Sequence, residues 1–332
     1  MRMRAAVPVL LGGVILGLMY HLKRRTRRHM LPVPLAFNSC HIGRFSGYKL
    51  YVSLPLSYDS KPNERFPVLV VLDAEPYLFP LLTICARTNH FFARSYWYPD
   101  VIVVGIVADL EADESLFVKG KLDVKRFWDE MRPTRARDYL PTAAESPWGT
   151  WPGAVSLLEH SGHADEFATF LANRLLPHID GAYRTMGDGA RALIGKSFSG
   201  CGVACCMIHP ECARRFSEFL MCSPSLSWDD FAWFRIESSR RASHEAGLPN
   251  LNDARAEASA PHDAAVFCCV GGEEDTTASR RLKDTLDSRN GTNVVPVRLD
   301  VLEGETHGSA SFPFVHRAMD FLKERWRPRP AM

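Results

Sequence analysis

The chain has no glycine-rich phosphate loop, no GxGxxG turn, no HExxH pair and no cysteine spacing of a zinc finger or ribbon. Nucleotide-phosphate cradles, zinc peptidase sites and structural zinc modules are therefore set aside. No internal repeat is visible, and no acidic residue occurs before Asp59. Seven basic side chains (Arg2, Arg4, Lys23, Arg24, Arg25, Arg27 and Arg28) lie within residues 1–30. With those seven set aside, 33 basic residues stand against 38 acidic ones, so no basic face for nucleic acid is left. The nine cysteines are an odd count, and Cys205-Cys206 and Cys268-Cys269 are adjacent pairs within apolar stretches. Neighbouring side chains diverge, so the thiols read as small buried hydrophobes in a reducing compartment rather than as disulfides.

What is present is an ordinary globular composition, 46% hydrophobic and 23% charged over 332 residues, enough for one large domain or two small ones. The first 30 residues stand apart. Ala5 to Leu22 is an uncharged stretch of 18 residues, near the lower limit for a bilayer span, and Lys23-Arg24-Arg25-Thr26-Arg27-Arg28 follows directly. The heavier basic flank places the rest of the chain on the cytosolic side of a single membrane anchor. A cleaved signal peptide or an organelle-targeting leader are the alternatives.

After the leader, apolar runs recur at α/β intervals. "YKLYVSLP" (48–55) alternates like a half-exposed strand, whereas "FPVLVVLD" (66–73) and "VIVVGIVA" (101–108) are continuous β-branched runs that suit strands covered on both faces. Tyr77 to Arg94 and residues 165–180 have helical spacing. "RALIG" (191–195), "FSEFLMCSPS" (216–225), "DAAVFCCVGG" (263–272) and "TNVVPVRLDVLEG" (292–304) read as further strands. Helices are expected from Gly200 to Ile208 and from Phe314 to Trp326. Asp109 to Gly162, rich in Trp, Pro and charge, reads as an irregular insertion or lid, and Ser238 to Ala260 as a surface excursion. The pattern predicts an α/β fold with a mostly parallel central sheet and helices on both faces.

Candidate chemistry centres on "GKSFSG" (195–200), which lies between a predicted strand and a helix of small residues. A nucleophile elbow needs small residues two before and two after its serine, because that serine occupies a strained turn. Gly195 and Ser199 fill those positions around Ser197. A serine also needs a base, and a base needs an acid. Glu273, Glu274 and Asp275 follow one later strand and His307 follows the next, in the order acid then histidine. All these groups end strands at the carboxyl edge of the sheet, where open α/β folds place their ligands.

Taken with "FPVLVVLDAEPYLF", "VIVVGI", "RARDYLPT", "FLANRLLPHIDGAYRT", "RALIGKSFSG", "SPSLSWDD", "VGGEED" and "GETHGS", the chain resembles the putative-esterase family of α/β-hydrolases, and most of all its siderophore-esterase-like branch. The likeness runs over about residues 45–328, after a separate segment 1–30. It implies an α/β-hydrolase fold and cleavage of a small-molecule carboxylic ester through an acyl-serine, with no cofactor, no metal and no nucleic-acid partner. Ser197 is similar to the family nucleophile, His307 to its base and Glu274 to its acid. The oxyanion hole would come from the backbone N–H groups of Phe198 and Ala74, and Arg137 resembles an arginine that faces substrate. Three positions depart from the family pattern: Lys196 replaces a histidine, Ser199 replaces a glycine, and "LDAEP" replaces a Leu-Asp-Gly loop. A catalytically silent binding protein and an acyltransferase are the alternative functions.

Overall fold

The computed structural model describes residues 40–74, 78–88, 99–109, 117–118, 121–144, 157, 159–245, 264–288 and 297–326. The leader, with its expected membrane anchor, lies outside the described residues. Among those described, no helix is long and apolar enough to cross a membrane.

Continuous apolar runs become the centre of an eight-stranded sheet. Its strands are β1 (Cys40–Phe45), β2 (Tyr48–Ser53), β3 (Val68–Leu72), β4 (Ile102–Ala108), β7 (Arg191–Lys196), β8 (Glu218–Cys222), β9 (Ala265–Gly271) and β10 (Val297–Leu302). Two short strands, β5 (Phe117–Val118) and β6 (Lys121–Leu122), pair separately. The sheet order is β1-β2-β4-β3-β7-β8-β9-β10, with β1, β2 and β4 antiparallel neighbours and every pair from β4 to β10 parallel.

The period of two along each strand divides the apolar residues between two cores. On β3, Val68, Val70 and Leu72 face one core while Leu69 and Val71 face the other. On β9, Cys268 and Cys269 part in the same way. The eight cysteines from Cys85 onward are free thiols, and all but the half-buried Cys85 are buried. Burial pushes the Cys222 and Cys268 thiols up to about 12, so they stay protonated and inert at neutral pH.

Helices α1 (Leu78–Thr88) and α9 (Ser311–Arg325) cover one face of the sheet. The other face is covered by α3 (Ala164–Phe170), α4 (Leu176–Ala182), α5 (Phe198–Ile208), α7 (Trp228–Glu245) and α8 (Thr277–Asp287), with α6 (Pro210–Ala213) as a short turn after α5. The predicted helix over 165–180 is present, but Leu171–Leu175 widens into a π-helical turn between α3 and α4.

Two expectations need correcting. Residues 238–245 of the expected surface excursion are the last part of α7, and residues 246–260 of it lie outside the described residues. The region from Asp109 to Gly162 is not irregular throughout, because Val124–Tyr139 forms the 16-residue helix α2. Asp123 caps it by accepting the Arg126 N–H at 3.1 Å. Phe127 and Met131 enter one core, while Ala136 and Tyr139 enter the other against α5. Residues 110–116, 119–120, 145–156 and 158 of the expected lid lie outside the described residues.

Candidate active site

The carboxyl ends of β3, β7 and β10 open onto one cavity of about 380 Å³. Asp73, Leu78, Trp128, Arg135, Lys196 and Ser197 line it, with His307 and Phe312 at its other side.

Ser197 sits on the turn from β7 into α5 with φ 60° and ψ −121°. A non-glycine residue holds that conformation only where its surroundings impose it. Gly195 is one such constraint, since a Cβ there would lie 2.4 Å from the Ser199 carbonyl oxygen. Ser199, where the elbow pattern has glycine, fits by a different route. Its buried hydroxyl accepts the Lys196 N–H at 2.9 Å and donates to the Lys196 carbonyl at 2.9 Å. The extra atoms are thus absorbed into the helix start beneath Ser197. Two backbone bonds brace the nucleophile's residue further: Ser197 N–H donates to Cys222 O at 3.0 Å, and Ser225 N–H donates to Ser197 O at 3.1 Å.

His307 follows β10 and Glu274 follows β9, and the two loops are tied together. Gly272 N–H donates to Leu302 O at 2.8 Å, and Glu273 N–H to Glu305 O at 3.1 Å. His307 Nδ1 lies 2.6 Å from Glu274 Oε2. An ionised carboxylate only accepts, so the imidazole donates from Nδ1 and leaves Nε2 as the acceptor nitrogen. The other carboxylate oxygen, Oε1, accepts from the Ser223 hydroxyl at 2.6 Å and from Gly271 N–H at 2.9 Å. Burial by itself raises the Glu274 pKa, but the bonds from Ser223, His307 and Gly271 outweigh it and hold the carboxyl below its ordinary value. Gly271 is needed for this approach, because a Cβ there would meet Glu274 Oε1 at 2.6 Å. Of the other two acids, Glu273 is exposed, and Asp275 accepts the Thr277 N–H at 2.9 Å at the start of α8. Only Glu274 among the three reaches His307.

Arg137 does not line the cavity, contrary to expectation. Its guanidinium turns to Asp138 Oδ1 at 2.7 Å and to the Tyr48 hydroxyl at 3.3 Å, on the far side of α2. Arg135 faces the cavity instead. Two residues apart on a helix means about 200° around its axis, so these arginines point in nearly opposite directions. Arg135 binds Asp73 Oδ2 through Nε at 2.9 Å and Nη2 at 2.8 Å, with side chains only 14% and 6% exposed. Its guanidinium carbon lies 4.8 Å from the centre of the Trp128 ring and 5.2 Å from that of Phe198.

The expected oxyanion donors fare differently. Ala74 N–H already donates to Ile106 O at 3.2 Å, extending the β3–β4 pairing, so it is not a spare donor. Residues 75–77, which follow it, lie outside the described residues. Phe198 is the first residue of α5, immediately after Ser197, at the end of the helix whose backbone dipoles favour negative charge. Among the described residues, no group of three or more His, Cys, Asp or Glu side chains is placed to hold a metal ion.

Sequence reasoning missed Asp73, Arg135, Ser223 and Ser225. Arg135 could have been found from the helical phase of "RPTRARDY" (132–139), since position 135 shares a face with Trp128, seven residues earlier. The two serines carry no comparable signal.

Comparison with known proteins adds a family and a fold. A family model described as "Putative esterase" matches residues 141–324, more than half the chain and a span that contains Ser197, Glu274 and His307. Among proteins with curated descriptions, none matches the chain. In fold the chain is similar to the BES protein from Bacillus cereus, with a TM-score of 0.65 and 17% identity over 90% of this chain and 99% of that one. It is also similar to the siderophore hydrolase EstA from Aspergillus nidulans, with a TM-score of 0.62 and 18% identity over 91% and 100%. An IroE-like serine hydrolase from Shewanella oneidensis gives a TM-score of 0.59 and 18% identity over 85% and 77%. At these identities the likeness is one of fold.

Proposed function

Since the chain belongs to the putative esterase family, we propose that it is a serine hydrolase that cleaves a carboxylic ester through an acyl-serine intermediate. The observation that carries this reading is one cavity lined by Ser197, held at φ 60°, and by His307, whose Nδ1 is 2.6 Å from a carboxylate.

In this reading, Ser197 Oγ attacks the ester carbonyl while His307 Nε2 takes its proton. Glu274 keeps Nδ1 protonated and balances the imidazolium charge that forms. The negative charge on the carbonyl oxygen develops at the start of α5, where the Phe198 N–H is the donor proposed for it. The C–O bond to the alcohol breaks, and His307 returns the proton to the departing oxygen. Water then repeats the sequence on the acyl-enzyme, with His307 as base again.

Arg135 is the cation proposed to face the substrate, between aromatic walls suited to an apolar or aryl group. Two of the proteins similar in fold are described as siderophore hydrolases, which makes siderophore esters one class worth assaying. The test is labelling by a fluorophosphonate, with turnover of a short p-nitrophenyl ester. Wild type should label and turn over, and Ser197→Ala should do neither while keeping its fold. Labelling or full turnover by Ser197→Ala would overturn the assignment. Product analysis with added alcohols separates hydrolysis from acyl transfer.

A further inference from the structure

The hydroxyl of Ser225 lies 3.4 Å from Ser197 Oγ. Two backbone bonds fix that approach: Ser225 N–H donates to Ser197 O at 3.1 Å, and Ser197 N–H donates to Cys222 O at 3.0 Å. Ser225 is buried, and among the described residues Ser197 Oγ is the one hydrogen-bond partner of its hydroxyl. A buried O–H donates where an acceptor exists. Across this contact either hydroxyl can be the donor; with Ser225 donating, the nucleophile's own proton is left for His307.

We propose that Ser225 is a further catalytic residue, a hydrogen-bond donor that stabilises Ser197 Oγ as that oxygen is expelled from the acyl-enzyme. This rests on the serine-hydrolase reading above. In the acyl-enzyme, Oγ is the bridging oxygen of an ester and a poor acceptor. During deacylation, water bonds to the acyl carbon, the C–Oγ bond breaks, and the electron pair stays on Oγ until His307 delivers a proton. The Ser225 proton is never transferred. Its hydrogen bond strengthens as charge gathers on Oγ, and only an interaction stronger in the transition state than before it accelerates a step. In acylation the gain is smaller, because with Ser225 as donor the free Ser197 hydroxyl accepts this bond before attack. Ser223, two residues earlier in the same loop, serves Glu274 in parallel through its bond to Oε1.

Stopped-flow kinetics on p-nitrophenyl acetate, with fluorophosphonate labelling of wild type alongside, provide the test. Ser225→Ala should lose about ten- to a hundredfold in steady-state turnover, the range expected for one hydrogen bond to a charged atom. KM should fall with kcat, and a burst approaching one equivalent of p-nitrophenol should appear at a nearly unchanged rate. Ser225→Thr and Ser225→Val, matched in shape, make the same comparison without opening a cavity. The threonine should restore turnover and the valine should not. Equal slowing of burst and turnover, unaltered kinetics, or a valine as active as the threonine would each overturn the proposal while wild type still labels. If wild type neither labels nor turns over, the hydrolase reading fails, and this proposal falls with it.

Discussion

Glu274 Oε2 lies 2.6 Å from His307 Nδ1, while Ser223 and Gly271 occupy the same carboxylate's other oxygen. The carboxylate is thus anchored on one side and offered on the other. Glu274→Gln keeps the shape but removes the charge that stabilises the imidazolium. We expect kcat to fall by about 10²- to 10⁴-fold, the upper figure being that for an acid-to-amide change in a serine-histidine-aspartate triad. Steady-state assays near neutral pH check it.

The same residue gives a pH dependence of stability. Its folded-state pKa lies below the ordinary 4.5, so its ionised form is favoured by folding. That contribution is fully present above about pH 4.5 and is lost as pH falls through the lower folded value. Urea titrations of wild type and Glu274→Gln should therefore differ by a constant amount near neutrality and converge in acid. The comparison must be made as a difference, because Glu218 pulls the other way. Burial raises the Glu218 pKa despite its bonds to Ser217, Trp326 and Arg325.

Arg135 and Arg137 should separate cleanly. Arg135→Ala strands the buried Asp73 carboxylate, and breaking a buried pair by removing one partner costs about 3–5 kcal/mol. It should also lower kcat/KM by about tenfold or more by unsettling the cavity wall. Arg137→Ala removes a half-exposed guanidinium outside the cavity and should leave kcat/KM unchanged. Denaturation curves and ester kinetics on both variants check the pair.

At the elbow, Ser199→Ala deletes the hydroxyl that bridges the Lys196 N–H and carbonyl and should cost about 1 kcal/mol in a urea melt, with turnover preserved. Gly195→Ala is the contrasting change. Its methyl would sit 2.4 Å from the Ser199 carbonyl oxygen, so the turn must open. We expect a loss of about 1–3 kcal/mol and disappearance of fluorophosphonate labelling.

Ser197 itself carries backbone strain, of order 1–3 kcal/mol for a non-glycine residue in a sparsely populated region. Ser197→Gly should relieve part of it and raise the melting temperature of the inactive protein, which calorimetry would read directly.

How far these features can be read from the amino-acid order depends on their period. β3, β4, β7, β8 and β9 each appear as an apolar run because both faces of those strands are covered, whereas β10 alternates apolar with charged residues and is only partly buried. The order serine, acid, histidine follows from the order of the strands that carry them. Helix α2 is obscured by its polar composition and by Pro133 inside it, although its buried residues follow a helical spacing once its phase is known. The choice of Glu274 over Glu273 and Asp275 depends on which carboxylate the β9–β10 loop pairing turns toward His307, a tertiary matter. The serines of the loop after β8 act through single hydroxyl contacts that leave no mark on hydrophobic pattern.

The order of strands has a consequence for how activity is lost. Ser197 is mounted on β7, every residue of which is buried between β3 and β8, whereas His307 follows β10, the last strand of the sheet. Among the described residues β10 has β9 as its one strand neighbour, and only Leu302 of its residues is fully buried. Edge elements with few buried contacts open locally at lower free energy than the core that supports them. The histidine is thus carried by a part that can detach while the nucleophile's strand stays folded. On warming, hydrolysis should cease several degrees before the sheet melts, and amides of residues 297–302 should exchange with solvent ahead of those of residues 191–196.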